Sequence, residues 1–373
     1  MAKKIRVIIV DDSLVMRDLI AQIVCSQPDM EVAATAQDPF DAREKIKTLS
    51  PDVVLLDIEM PRMDGLTFLD KIMRLRPMPV VMVSTLTVAG GTATLRALEL
   101  GAVDFVPKPA THITAGMAEA FAADIAAKVR IAAASAQSIL RRGRAHARAS
   151  ETVKPAKGGL PAKGNIGTAG SLGVAAHNAV VAIGASTGGI EAITTVLTGL
   201  PADMPPILIV QHLPQPFTRL FAGRLDTLCA LKVKEAVQGD ILHPGHVYIA
   251  PGNQHLRLGR GVSGAITLLS DDPLLNGHRP SADHLFNSVA QQAGRAAVGV
   301  ILSGMGSDGA EGLKRMRDAG ALTIGQDAAT CVVYGMPRAA HEMGAVMRPA
   351  PLDGIAGEIL ACLRSFEKLP VAR

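Results

Sequence analysis

Two groups of residues in this chain have the types and spacing for chemistry, and they lie far apart in sequence. In "VVAIGASTGGIEAI", Val180 to Ile193, an apolar strand runs into a turn of small residues and then a helix. The pattern Gly184-x-Ser186-x-Gly188 is that of a nucleophile elbow. Small neighbours permit a sharp turn that exposes the hydroxyl, and the helix behind offers N–H groups to a developing oxyanion. A plain Gly/Ser turn capping a helix has the same letters. A dinucleotide fingerprint would need glycine where Ser186 stands, and a Walker loop would end in Gly-Lys-Ser/Thr, where this turn has Gly188, Gly189 and Ile190.

A serine nucleophile needs a base and an acid to orient it. Among the downstream histidines only His212 closes an apolar strand, in "ILIVQH", and Asp308 lies just past another, in "VGVILSGMGSDG". Asp226, Asp240, Asp271, Asp272 and Asp283 fall in helix or loop contexts. Strand ends on one edge of a parallel sheet bring Ser186, His212 and Asp308 into one crevice as nucleophile, base and orienter. The order Ser, His, Asp differs from the Ser, Asp, His of α/β-hydrolases. His243 and His246 bracket a Pro-Gly turn and read as surface histidines, Cys331 as a small buried hydrophobe, and Arg279 and Ser281 as loop hydrogen-bonders.

The second group is acidic. Asp11 and Asp12 end the first strand, Asp57 the third, Ser84 the fourth, and Lys108 follows the fifth. Carboxylates converging on one sheet edge repel one another unless a divalent cation such as Mg²⁺ neutralises them. With a hydroxyl and an ammonium on the same rim, the set suits phosphoryl transfer onto an aspartate. A haloacid-dehalogenase-type phosphatase would need a second Asp two residues after the nucleophile, where Glu59 stands.

The elements that hold these groups alternate buried-type strands with helix-length segments. "IRVIIV", "DVVLLD", "PVVMVS" and "AVDFVP" carry the first half, and "AVVAIGAS", "PILIVQH", "HVYIAP", "AITLLS", "AVGVILSG" and "ALTIGQ" the second. At 373 residues two cores are expected. The predicted division is 1–125, then a helical extension and basic flexible linker over 126–177, then 178–373. In the linker Arg141, Arg142, Arg144, Arg148, Lys154, Lys157 and Lys163 sit among Gly, Ala, Pro and Ser, with no aromatic residue between them, so it reads as a solvated tether and not a nucleic-acid site. The four cysteines are scattered, without a C-x-x-C pair, which suits reduced thiols in the cytoplasm; no stretch is long enough to insert in a membrane. No compact helical DNA-binding module is visible in the strand-rich second half.

"IIVDDS", "LLDIEMPRMDG", "VVMVST" and "FVPKP" resemble the response-regulator receiver domain. That resemblance implies a flavodoxin-like five-stranded fold, phosphorylation of Asp57 by a histidine kinase, and an Mg²⁺ site of Asp11, Asp12 and Asp57. It also implies Lys108 as a phosphoryl contact, with Ser84 and Phe105 as the switch hydroxyl and aromatic. "IGASTGGIEAI", "VQHLP", "HRPSAD", "ILSGMGSDGAEG" and "CVVYGMPRAA" resemble the catalytic domain of the chemotaxis protein-glutamate methylesterases. The implied whole is an α/β protein of two doubly wound parallel-sheet domains, a flavodoxin-like receiver and a Rossmann-like serine esterase. It would hydrolyse glutamate γ-methyl esters on the cytoplasmic helices of methyl-accepting chemoreceptors, releasing methanol, and deamidate receptor glutamines, serving chemotactic adaptation. Oxyanion contributors are implied at Met305 and around Thr187. The esterase would need no cofactor, Mg²⁺ serving the receiver alone. The resemblance further implies recruitment from the cytoplasm to receptor arrays, and a receiver that covers the esterase crevice until Asp57 is phosphorylated.

Overall fold

The structure is a computed structural model that describes residues 3–85, 88–109, 115–152, 176 and 178–366. The first domain is a five-stranded parallel sheet in the order β2-β1-β3-β4-β5, formed by β1 (Ile5–Val10), β2 (Met30–Ala36), β3 (Val53–Asp57), β4 (Val80–Ser84) and β5 (Asp104–Pro107). The central strands β3 and β4 are buried at every residue, as their runs of Val and Leu require when helices cover both faces. The helices are α1 (Leu14–Ser26), α2 (Pro39–Leu49), α3 (Gly65–Leu75), α4 (Val88–Glu99) and α5 (Ala115–Thr152). The start of α2 is chemically fixed: the Asp38 carboxylate accepts from the Phe40 and Asp41 N–H groups, and Pro39 opens the helix behind it.

Helix α5 runs to Thr152, past Arg141–Arg148, where composition predicted a flexible tether. The reason is local: the segment is rich in Ala and Arg, both strong helix formers, and no proline interrupts it before Pro155. The rest of the predicted linker, 153–175 with Lys154, Lys157 and Lys163, lies outside the described residues.

The second domain is a seven-stranded parallel sheet in the order β14-β13-β12-β6-β7-β9-β8. Its strands are β6 (Val180–Ala185), β7 (Ile207–Gln211), β8 (Lys232–Glu235), β9 (His246–Ile249), β12 (Ala297–Ile301), β13 (Leu322–Gln326) and β14 (Arg348–Ala350). The helices are α6 (Gly189–Thr198), α7 (Phe217–Leu228), α8 (Ala282–Gln292), α9 (Ala310–Asp318), α10 (Met336–Glu342) and α11 (Ile355–Phe366). "AITLLS", read as part of the strand–helix rhythm, instead pairs antiparallel as β11 (Gly264–Ser270) with β10 (His255–Gly261) in a separate hairpin. The strands β8 and β14 were not legible; "KVKE" and "RPA" are short, polar edge segments.

Each sheet reverses its winding once. In the first domain the reversal lies between β1 and β3, and in the second between β6 and β12. Ligand crevices open at such switch points, outside the carboxyl ends of the strands. Asp11 and Asp57 occupy the first of these ends, and Ser186 and Asp308 the second.

Candidate active site

The turn after β6 is held from three sides. Ser186 N–H donates to the Ser303 carbonyl at 3.0 Å, the Ser186 carbonyl accepts from Gln211 Nε2 at 2.9 Å, and Ser303 Oγ donates to the Thr187 carbonyl at 2.8 Å. The left-handed residue is Gly188, at φ 78°, where a Cβ would meet Val332 Cβ at 2.6 Å. Ser186 therefore sits in ordinary backbone, unlike the strained serine that an elbow of the α/β-hydrolase kind carries. A Cβ on Gly189 would lie 2.1 Å from Gln211 Oε1, so the second glycine of the pair admits the side chain that clamps the turn.

Ser186, Thr187, His212 and Met305 line one cleft of about 440 Å³. His212 Nε2 is 2.8 Å from Asp308 Oδ2, and both side chains are buried. That leaves Nδ1 as the nitrogen able to take a proton, and it is buried with no hydrogen-bond partner. Asp308 is set at the amino end of α8: Oδ1 accepts from Ser281 Oγ at 2.6 Å, and Oδ2 from the Ala282 N–H at 2.6 Å. Burial alone would raise this carboxyl, but the hydrogen bond and charge of His212, with Ser281 and Ala282, hold it well below the usual carboxylate range. His212 and Asp308 are thus bonded to each other, and Ser186 lines the same cleft as His212.

Two contributors were missed. Ser281 is no ordinary loop hydrogen-bonder; it is fully buried and binds the orienting carboxylate, which explains the "HRPSAD" segment chemically. His278 stacks on His212, ring centroids 3.8 Å apart and 13° from parallel. Burial and the neighbouring His212 push its pKa down to about 4, so it stays neutral beside the base. Neither residue ends a strand, so strand-end placement could not reveal them. Arg279 does behave as a loop tie, donating to Asn253 Oδ1 and to the carbonyls of Asp271 and Asp272. His243 is exposed at the surface turn, as expected.

In the first domain, Asp11, Asp12 and Asp57 each offer an oxygen within 4.8 Å of the others. Lys108 Nζ lies 2.9 Å from Asp11 Oδ2 and 2.8 Å from Asp57 Oδ2. Burial raises the Asp57 carboxyl to about 6 despite Lys108, and the charge of Asp11 adds to the rise. An all-oxygen donor set with this excess of negative charge fits a hard divalent cation. Ser84 Oγ accepts from Thr94 Oγ1 on α4 at 2.8 Å, and Phe105 is buried.

The receiver-like domain roofs the cleft. Phe105 packs on Phe217, Thr187 Oγ1 donates to Asp104 Oδ2 at 2.5 Å, and Arg224 Nε donates to Glu99 Oε1 at 3.0 Å. Val332, beyond β13, joins the apolar cluster under α5.

Comparison with known proteins matches both domains. Residues 7–115 match the response regulator receiver domain and residues 181–359 the CheB methylesterase. A protein-glutamate methylesterase/protein-glutamine glutaminase of Burkholderia pseudomallei is 54% identical over 366 residues, covering 98% of each chain. The chain belongs to the CheB methylesterase family. A relative of the same name from Geobacter metallireducens is 50% identical, covering 97% of this chain and 96% of its own. The crystal structure of the Thermotoga maritima CheB methylesterase catalytic domain is 36% identical, covers 49% of this chain and 97% of its own, and has a TM-score of 0.48. The matched families fall on the two parallel-sheet domains in order, a receiver followed by a CheB-type methylesterase domain. No helix among the described residues is long and apolar enough to cross a membrane.

Proposed function

We propose that the chain hydrolyses γ-methyl esters of glutamate on chemoreceptors by a Ser-His-Asp mechanism, deamidates receptor glutamines at the same site, and is gated by phosphorylation of Asp57. The observation that carries this reading is the His212 ring, with Nε2 on Asp308 and Nδ1 unbonded in the cleft that Ser186 lines. Ser186 Oγ attacks the ester carbonyl while His212 Nδ1 takes its proton. The tetrahedral oxyanion is met by main-chain N–H groups at Thr187 and Met305. Collapse returns the proton from Nδ1 to the leaving methoxide, giving methanol and an acyl-serine. Water, deprotonated by the same nitrogen, releases the glutamate side chain and regenerates Ser186. A glutamine substrate differs only in its leaving group, ammonia. Asp308, fixed by Ser281 and by the end of α8, keeps the proton on Nε2 and stabilises the imidazolium. The roles of Ser186, His212 and Asp308 rest on this geometry and on the family's chemistry.

In the receiver, Asp11, Asp12 and Asp57 would hold Mg²⁺, which offsets charge on the phosphoryl oxygens. Asp57 accepts the phosphoryl group from a histidine kinase, and Lys108 pairs with it. A phosphoryl oxygen competes for the Ser84 hydroxyl, drawing it from Thr94 on α4, and Phe105 follows into the vacated space. Because α4 and Phe105 both touch α7, this repacking favours release of the roof. The chain then acts from the cytoplasm at receptor arrays, in chemotactic adaptation.

Methanol release from methylated receptor membranes tests the chemistry. Ser186→Ala and His212→Gln are expected to lose release while retaining the wild-type melting profile. Wild-type release from Ser186→Ala would overturn the assignment.

A further inference from the structure

Asp104 is a carboxylate that the receiver extends into the catalytic cleft. It opens β5, immediately before Phe105, and its side chain is 15% exposed. Its two oxygens have separate tasks. Oδ1 accepts from the Phe105 N–H at 2.8 Å and lies 3.7 Å from Lys128 Nζ, so it stays tied to its own domain. Oδ2 crosses the interface and accepts from Thr187 Oγ1 at 2.5 Å. Thr187 follows Ser186, is buried, and lines the same cleft as Asp104, Ser186 and His212.

A steric plug needs only bulk at this place, and an apolar residue would fill it at less cost. Putting a carboxylate in a mostly closed cleft loses hydration that must be replaced by hydrogen bonds. The donor that Oδ2 has found is a hydroxyl one residue from the nucleophile. The proposed substrate side chain also brings a carboxyl group to Ser186, as an ester or amide on arrival and as a carboxylate on departure.

We propose that Asp104 is an internal stand-in for the substrate's γ-carboxyl group, and that the Thr187 hydroxyl it occupies is the donor that receives that group once the receiver moves away. The inference rests on the methylesterase reading and deepens it, assigning Thr187 Oγ1 a specificity-determining contact. The receiver then inhibits as a tethered competing ligand, which raises the apparent KM and leaves kcat unchanged. Phosphorylation acts on Phe105, and the neighbouring Asp104 leaves the cleft with it.

The test uses the full chain, with Asp104→Ala, Asp104→Asn and Thr187→Val, each unphosphorylated and after treatment with a small phosphodonor and Mg²⁺. Methanol release supplies kcat and KM, and hydrogen exchange across residues 184–190 reports access to the turn without reference to any substrate. In the unphosphorylated state Asp104→Ala should lower KM several-fold at unchanged kcat and speed exchange, with Asp104→Asn between it and wild type. Phosphorylated Asp104→Ala should match phosphorylated wild type, which also establishes that it folds. Phosphorylated Thr187→Val should lose about tenfold in kcat/KM, the loss expected for one hydrogen bond to substrate. If Asp104→Ala changes neither KM nor exchange while phosphorylated wild type is active, the stand-in is overturned. Wild-type kcat/KM in phosphorylated Thr187→Val would reduce Asp104 to a latch and overturn the substrate contact. Phosphorylated wild type that exchanges faster yet releases no methanol would instead sink the methylesterase reading, and the stand-in with it.

Discussion

The ring of Phe105 in the receiver lies 4.6 Å from that of Phe217 in the catalytic domain, the two planes tilted by 40°. An aromatic pair of this kind adds about 0.5–1.5 kcal/mol to the area it buries. The neighbouring Arg224–Glu99 ion pair is part-exposed on its arginine side and contributes about 0.2–1 kcal/mol. Of these two contacts, the aromatic packing therefore holds the receiver on the cleft more firmly than the ion pair does.

That ranking gives the first prediction. A Cβ on Gly91 of α4 would lie 2.7 Å from Leu220 Cδ1 on α7. Gly91→Leu should raise unphosphorylated methanol release several-fold and leave the phosphorylated rate unchanged. Arg224→Ala should raise it by less than about fivefold, since about 1 kcal/mol is the most such a pair supplies. Initial rates of methanol release in both states check this; a larger effect from Arg224→Ala than from Gly91→Leu would reverse the ranking.

Ser281 holds the carboxylate that orients the base. Hydrogen bonds to a charged group are worth about 1.5–3 kcal/mol, so Ser281→Ala should reduce kcat by roughly ten- to hundred-fold. Asn276 Nδ2 reaches Asp308 Oδ1 only at 3.4 Å, and Asn276→Ala should cost much less. Steady-state kinetics on the phosphorylated enzyme separate the two, and equal losses would mean Ser281 has no special hold on Asp308.

Gly304 lies under the nucleophile. A Cβ there would meet Met336 Sδ at 2.2 Å and Ser186 Cβ at 2.9 Å. Gly304→Ala must displace one of them, and core overpacking costs about 1–3 kcal/mol. The expected outcome is a lower melting temperature together with a fall in kcat. A variant with wild-type kcat and stability would show that the turn adjusts freely.

Acidic pH should act on two neighbouring groups with opposite sign. His278 titrates near 4 when folded, against an ordinary value of 6.5, because burial and His212 disfavour its charge. The unfolded chain thus binds more protons between those values, and stability gained from this group rises with pH through that window. Asp283 is raised from 3.8 to about 6, by burial first and then by the charge of Asp308. Here the folded chain binds more protons, and stability falls as pH rises through nearly the same range. The two offset each other in wild type. Relative to wild type, His278→Gln should therefore lose stability as pH rises from about 4 to 6.5, and Asp283→Asn should gain it. Melting temperatures over that range provide the check; parallel curves for all three proteins would contradict the assigned shifts.

The legibility of these sites in the sequence followed from topology. Ser186, His212 and Asp308 were found because each sits at or just past the end of an apolar strand, and strand ends share an edge in a parallel sheet. Asp11, Asp57 and Lys108 were found in the same way. Ser281 and His278 belong to a loop and the helix start behind it, and Asp104 to the opposite end of its strand, so their partners emerge only from tertiary packing. Strands β8 and β14 escaped for a related reason: at sheet edges, few residues need be apolar. The extension of α5 shows the converse, a basic, alanine-rich run that composition marks as a tether and local helix propensity makes a helix.

The central claim is that aspartyl phosphorylation of the receiver releases a serine esterase. It is tested most directly by methanol release from methylated receptor membranes, measured with and without a phosphodonor and Mg²⁺, for wild type, Asp57→Ala and Ser186→Ala. The account predicts a rate that rises with the phosphodonor in wild type, a rate indifferent to it in Asp57→Ala, and no release from Ser186→Ala. A phosphodonor response that persists in Asp57→Ala, or release that survives in Ser186→Ala, would contradict it.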